Sequence, residues 1–330
     1  MMTSRFCTTL LASCLLASCL LAASAGATTL QPRIVINDDD GAAAARALGA
    51  PFDSVVELRV YSDDSFTGQF NLCSGSLIAA TTILTAQHCL LGTAASQVQV
   101  RFTDGDGNLQ FQRTVSTIQV MPGYQELTDG TDVATLTLAD PVENRTPFLL
   151  TSEDVLGETV RMVGYGRNGL GSTGDEGTRD GARWAADNVI DQSILGAPYS
   201  GPNRLFSSKF LEPGDPDFIP FEGTTAPGDS GGPLLVQRSG EWTIAGVLSG
   251  GTSLTSQYGD RSVWTGLFSD SAQELVRLGG GQFYDDEAVI PLPASGWLLL
   301  AALAITAGLG RRRAGAPPGG LSRARCRGLP

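Results

Sequence analysis

Gly228-Asp229-Ser230-Gly231-Gly232-Pro233 decides the reading of this chain when set beside Thr85-Ala86-Gln87-His88-Cys89, which holds the only histidine. A serine hydroxyl is a weak nucleophile until a positioned base takes its proton. His88 is the one imidazole in the chain that can do so. It lies far upstream of Ser230, so the fold must bring the two segments together. The bland alternative, a plain glycine-rich turn at 228–233, accounts for the glycines but not for the Asp-Ser pair.

Such chemistry asks for a third group, an acid that fixes the imidazole tautomer and stabilises the imidazolium. The candidate is Asp132 in Thr131-Asp132-Val133-Ala134-Thr135-Leu136-Thr137-Leu138, where the alternation that follows reads as a half-buried strand. The order His, Asp, Ser is that of the chymotrypsin-type enzymes. With Met162-Val163-Gly164-Tyr165-Gly166 and Ile244–Gly251, these segments resemble the trypsin-like (chymotrypsin-fold) serine proteases over most of the chain, from Ile34 to Gly279.

The resemblance implies an all-β fold of two six-stranded antiparallel β-barrels with a short C-terminal helix. His88 and Asp132 would sit in the first barrel and Ser230 in the second. It implies hydrolysis of peptide bonds through an acyl-enzyme, with no cofactor and no metal. The backbone N–H groups of Gly228 and Ser230 would form an oxyanion hole, and losing one such donor costs about 2.7–4 kcal/mol. Thr224, six residues before Ser230, would lie at the base of the P1 pocket. Ser249, Gly250 and Gly251 would hold substrate backbone by strand addition. Thr224 supplies no charge for a P1 Arg or Lys. Arg261 is a candidate for meeting an acidic P1. Cys73 would pair with Cys89, two free thiols being the alternative; a bridge closing such a loop is worth about 3 kcal/mol. Arg33-Ile34-Val35 is similar to the family's activation site, where a freed isoleucine amine pairs with the Asp before the nucleophile, here Asp229. Ile36-Asn37 departs from the usual Gly-Gly, and Asp38-Asp39-Asp40 is not part of the pattern. A catalytically silent surface-binding module on the same fold is the competing function, and the intact His88, Asp132 and Ser230 argue against it.

The ends of the chain read differently. Met1–Ala27 is a secretory signal with Arg5 ahead of an apolar stretch and Ala25-Gly26-Ala27 as a small-residue cleavage site. Leu16-Ala17-Ser18-Cys19 offers a rival lipoprotein box. Export makes a disulfide permissible. Val289-Ile290-Pro291-Leu292-Pro293-Ala294, the apolar Ser295–Gly310 and Arg311-Arg312-Arg313 resemble the VPLPA/PEP-CTERM class of bacterial sorting tails, implying a membrane helix and a sorting or processing enzyme as partner. The chain departs from that class by continuing through Ala314–Pro330. Between leader and tail, 15 Lys and Arg stand against 34 Asp and Glu, a balance of −19 that argues against nucleic acid as a partner.

These readings divide the chain into a signal peptide (1–27), an N-terminal segment with the activation site (28–50), a first barrel (51–150), a second barrel (151–284), the sorting motif with its helix and Arg cluster (285–313) and a disordered tail (314–330). Strands are expected at Val55–Tyr61, Gly75–Thr85, Val98–Phe102, Val115–Val120, Val133–Leu138, Val160–Gly164, Leu234–Val236, Trp242–Leu248 and Val263–Leu267. A helix capped by Ser269 or Asp270 is expected over Ser271–Leu278. Gly166–Asp180 reads as a mobile glycine- and charge-rich loop.

Overall fold

Runs rich in β-branched and aromatic residues favour a pleated, half-buried surface. In the computed structural model, which describes residues 34–177, 179–195, 203–253 and 255–284, these runs pair into sheets. β1 (Ile34–Ile36) and α1 (Gly41–Gly49) come first. β2 (Val55–Tyr61), β3 (Phe70–Ala79), β4 (Thr82–Thr85), β5 (Val98–Thr103), β6 (Leu109–Val120) and β7 (Ala134–Leu138) then close into a barrel in the order β2-β3-β4-β7-β6-β5. Leu58, Leu77, Ile83, Val100, Phe102 and Leu136 are buried in its core. Gly75 keeps that packing possible, because a Cβ there would stand 2.7 Å from Ile83 Cγ2.

The second half adds β8 (Leu149–Leu150), β9 (Thr159–Gly164), β10 (Asn168–Leu170), β11 (Gly174–Asp175), β12 (Trp184–Val189), β13 (Gln192–Leu195), β14 (Arg204–Lys209), β15 (Gly223–Thr224), β16 (Pro233–Arg238), β17 (Glu241–Gly251) and β18 (Arg261–Gly266). The main sheet runs β12-β9-β16-β17-β18-β14-β13, with β8 beside β17. Its end strands, β12 and β13, are successive parts of one run of chain, parted only by Ile190 and Asp191. The sheet therefore curls into a half-barrel, an eight-stranded sheet where six strands were expected, and Asp191 N–H extends the β13–β14 ladder by donating to Ser207 O at 3.1 Å. Trp184, Phe206, Leu234 and Trp264 fill its core.

α2 (Asp270–Leu278) starts where the sequence places it, with Ser269 Oγ accepting from Ala272 N–H. It buries Ala272, Leu275 and Val276 against the first barrel's core, and Thr82 Oγ1 donates to Gly279 O at 2.6 Å. Arg183 ties the barrels together more deeply. Its guanidinium is fully buried and donates to Thr103 O (3.0 Å), Ala50 O (3.0 Å), Gly49 O (3.3 Å) and the Tyr165 hydroxyl (3.0 Å). A buried cation is tolerated only when its donors are met in this way.

Several sequence expectations change. The run Gly75–Thr85 is two strands, β3 and β4, turning at Ala80-Thr81. β12, β13 and β14 were not anticipated, because runs such as Trp-Ala-Ala-Asp-Asn-Val carry weak strand propensity and gain it from their neighbours. The loop 166–180 holds β10 and β11, which with β1 and β15 form a small sheet in the order β11-β10-β1-β15. The acidic triplet also finds a structural role. Asn37 Oδ1 accepts from the N–H groups of Asp39 and Asp40, Asp40 accepts from Phe221 N–H at 2.8 Å, and Asp38 accepts from Tyr258 and Ser172. α1 follows at once, a helix that the alanine run Ala42–Ala45 favours.

The leader Met1–Ala27, Arg33, the sorting motif with its apolar run and Arg cluster (285–313) and the tail (314–330) lie outside the described residues. Among the described residues, no helix is long and apolar enough to cross a membrane.

Candidate active site

β4 ends at Thr85, and the 3₁₀ turn Gln87–Leu90 that follows carries His88. The Cys73–Cys89 disulfide, with Cα atoms 6.4 Å apart, staples that turn to β3. Asp132 sits two residues before β7 and is fully buried. Its Oδ2 lies 2.7 Å from His88 Nδ1, and its Oδ1 accepts the His88 backbone N–H at 2.8 Å. Both carboxylate oxygens are thus committed to one residue, and Nδ1 must carry the proton. Asp132 is placed by a loop organised around a second buried acid, Asp129. That carboxylate accepts from the N–H groups of Gln125 (2.6 Å), Glu126 (3.1 Å) and Thr131 (2.7 Å). Burial, followed by the charges of Asp132 and Asp129, pushes the nearby Tyr124 hydroxyl up to about 12.

Ser230 is brought to this site by its backbone. Its carbonyl accepts from Ser74 N–H at 2.7 Å, and Cys89 Sγ lies 3.8 Å from both that carbonyl and His88 Nε2. Ser74 is the joint between the barrels. Its Oγ donates to Gly228 O (3.1 Å) and accepts from Tyr165 N–H (3.0 Å), while its carbonyl accepts from Thr85 Oγ1 (2.8 Å). Gly231, at φ +80°, lies so close to this joint that a Cβ would stand 2.1 Å from Thr85 Oγ1 and 2.4 Å from Ser74 O.

Two peptide planes in the loop are fixed by their carbonyls. Pro227 O accepts from Arg167 N–H at 2.8 Å, and Asp229 O accepts from Gly232 N–H at 2.8 Å. In a trans peptide the N–H points opposite to the C=O, so the N–H groups of Gly228 and Ser230 face away from those anchors. Among the described residues, neither donates a backbone hydrogen bond, whereas the N–H groups of Asp229, Gly231 and Gly232 all do. The Asp229 carboxylate is buried and accepts from Gly166 N–H (2.7 Å) and Ala226 N–H (2.9 Å). A Cβ on Gly164 or Gly166 would fall 2.0 Å or 2.7 Å from Asp229 Oδ1, which is why Met162–Gly166 carries both glycines.

The remaining expected residues lie around the same loop. Thr224 is buried, and its hydroxyl lies 2.8 Å from Ser262 Oγ, which also accepts from Thr225 N–H. Gly250 pairs with Val263 and Gly251 with Ser262, while the Ser249 hydroxyl faces Thr265 at 2.9 Å. Arg261 turns outward: Nε donates to Ser207 Oγ at 3.0 Å and the guanidinium pairs with Asp191, so it does not meet an acidic P1. Ile34 is fully buried on β1, and Val35 pairs with Thr224. Cys73, His88 and Cys89 cluster within 4.8 Å, but both sulfurs are held in the disulfide and offer no thiolate to a metal. Sequence reasoning missed Ser74, Asp129 and the anchoring role of the Arg167 N–H. The only local signal for Ser74 was its place beside a half-cystine.

The Trypsin family model matches residues 56–268. The chain is similar to "Serine protease filzig" of Drosophila melanogaster, 29% identical over 201 residues that cover 57% of this chain but only 12% of that protein. It is also similar to "Trypsin" of Saccharopolyspora erythraea, 27% identical over 216 residues, 63% of this chain and 88% of that one. With a match of that extent laid over both barrels and the His88, Asp132 and Ser230 segments, the chain belongs to the trypsin family of serine endopeptidases.

Proposed function

We propose that the chain is an exported serine endopeptidase that works through an acyl-enzyme, with Ser230 as nucleophile, His88 as base and Asp132 as the group that holds the imidazole. The observation that carries this reading is the double engagement of His88 by the buried Asp132, at 2.7 Å and 2.8 Å. With Nδ1 protonated, Nε2 keeps its lone pair for the Ser230 proton. Ser230 Oγ then adds to the substrate carbonyl, and the oxyanion forms toward the N–H groups of Gly228 and Ser230. His88 returns the proton to the leaving amine as the C–N bond breaks. Water repeats the cycle on the ester: His88 takes its proton, the hydroxide adds, and Ser230 leaves with the proton returned.

P1 is an uncharged side chain. Thr224 offers a hydroxyl already engaged by Ser262, so a substrate Arg or Lys there would lose water without gaining a counter-charge. Cleavage after Arg33 would deliver the Ile34 amine toward Asp229. The complete burial of Ile34 supports this, as does its φ of 45°, a left-handed conformation that costs a β-branched residue of the order of 1–3 kcal/mol. Met1–Ala27 would direct export, and Val289–Arg313 would engage a membrane-bound sorting enzyme; both rest on sequence.

The test is labelling with a fluorophosphonate, followed by a peptide-library cleavage profile. Wild-type protein is expected to label at Ser230 and Ser230→Ala to lose both labelling and hydrolysis while keeping its fold. Labelling of the Ser230→Ala protein would sink the nucleophile assignment, and a clear preference for Arg or Lys at P1 would sink the role given to Thr224.

A further inference from the structure

Beyond Gly228 lies a cleft that is basic on an otherwise acidic chain. It encloses about 1110 Å³ between Phe70–Leu72 of β3 and Pro227-Gly228 of the nucleophile loop, and the ionised side chains among its described lining residues are Arg167 and Arg179. Arg179 is fixed from behind. Its guanidinium lies 5.0 Å from the Phe70 ring centroid, and Nη1 is 3.4 Å from Glu57 Oε1. The Glu57 carboxylate is shared, since Arg59 Nε stands 2.8 Å and Arg101 Nε 3.1 Å from it. Among the described residues, three guanidiniums thus meet the single Glu57 carboxylate behind that wall, a local excess of positive charge of which Arg179 faces the cleft. Arg167 is near Asp175 (3.4 Å), but its side chain is 52% exposed and reaches into the opening.

The cleft's position relative to Ser230 gives that charge a use. On the reading of Ser230 as nucleophile, Thr224 and Ser249–Gly251 would take the acyl side of the substrate. A substrate strand held there and passing over Ser230 continues across Gly228, and that half departs with the leaving amine. The rest of the chain carries strong negative charge, which by itself would repel an acidic polypeptide. A confined basic surface reverses the sign locally, because a cleft with low-dielectric walls focuses the field.

We propose that this cleft selects Asp and Glu on the leaving-amine side of the scissile bond, so that the enzyme cuts acidic segments of protein substrates. The inference rests on the reading of Ser230 as the nucleophile. A carboxylate reaching Arg179 or Arg167 exchanges water for charge-assisted hydrogen bonds, and a Lys in the same place meets like charge.

The experiment uses internally quenched peptides with one fixed acyl half and Glu, Ala or Lys scanned through P1′ to P4′. Glu is expected to exceed Ala by about fivefold in kcat/KM at one or more positions, the size of one partly exposed ion pair, with Lys below Ala. The ratio should fall toward one at high salt, where such pairs are screened. The double variant Arg167→Gln/Arg179→Gln should bring it near one, and Arg167→Glu, an exposed single change, should shift it toward Lys. Equal rates for Glu and Ala at every position, or a ratio that both variants leave intact, would overturn the proposal. Protein that labels with fluorophosphonate and cleaves without acidic preference sinks this inference alone. Protein that neither labels nor cleaves sinks the Ser230 reading with it.

Discussion

Asp132→Asn tests the core of the site with almost no change of shape. Asp132 presents two acceptor oxygens, one to the His88 backbone N–H and one to Nδ1. Asparagine has one oxygen and one NH₂. The backbone N–H can only donate, so it claims the oxygen, and the NH₂ is left facing Nδ1. Two donors cannot pair, so Nδ1 must give up its proton and Nε2 must take it. The imidazole then shows Ser230 an N–H where it needs a lone pair. The negative charge that would stabilise the imidazolium is lost as well. Together these should lower kcat/KM by about 10⁴-fold, or roughly 5 kcal/mol at about 1.36 kcal/mol per decade. Folding should hardly change, because the buried His88 N–H keeps its acceptor; Asp132→Ala, which orphans it, should lose about 1–3 kcal/mol of stability. The assay is the rate of fluorophosphonate labelling and of peptide hydrolysis, read beside urea unfolding of each variant. If Asp132→Asn unfolds like wild type and still keeps more than about a tenth of the activity, Asp132 does not set the tautomer.

Ser74→Ala leaves the Tyr165 N–H and Gly228 O without their partner inside the barrel joint, so the unfolding free energy should fall by about 1–3 kcal/mol, with slower labelling of Ser230; unchanged stability and labelling would remove Ser74 from the joint. Reducing Cys73–Cys89, whose residues lie 16 apart, should lower stability by about 3 kcal/mol and activity with it; a reduced protein of equal stability would show that the staple is dispensable. Burial pushes the Asp38 carboxyl up, but hydrogen bonds from Tyr258 and Ser172 outweigh it and hold the group below its usual range. A lowered folded value contributes stability above the unfolded value and loses it as pH falls through the folded one. Asp38→Asn should therefore destabilise at neutral pH and converge on wild type in acid, and an equal gap in urea midpoints at about pH 7 and pH 3 would count against that charge.

The candidate site was largely legible in the sequence because its chemistry is local. A nucleophile on a glycine turn and a histidine beside a half-cystine are set by short-range backbone demands: Gly231 needs φ +80° and Gly228 φ +104°, and no tertiary partner changes that. Strands with clear alternation, such as Ala134–Leu138, and the Ser269 cap of α2 were legible for the same reason. What the tertiary structure decided are matters of contact between distant segments. Trp184–Val189 becomes a strand because β9 pairs with it, and Asn168–Leu170 because β1 does. Arg261 was a candidate for meeting an acidic P1 until Asp191 and Ser207, far away in sequence, supplied partners that turn it from the pocket. Asp38-Asp39-Asp40 fell outside the family pattern, yet two of its carboxylates accept from Tyr258, Ser172 and Phe221 of other loops. Ser74 carries no mark of its own, since a serine on a strand is ordinary; only the approach of Gly228, Tyr165 and Ser230 makes it the joint. The same holds for the basic cleft. Glu57 and Arg59 are neighbours on β2, but Arg101 joins them only because β5 pairs with β2, and Arg179 only because the loop before β12 packs against that barrel.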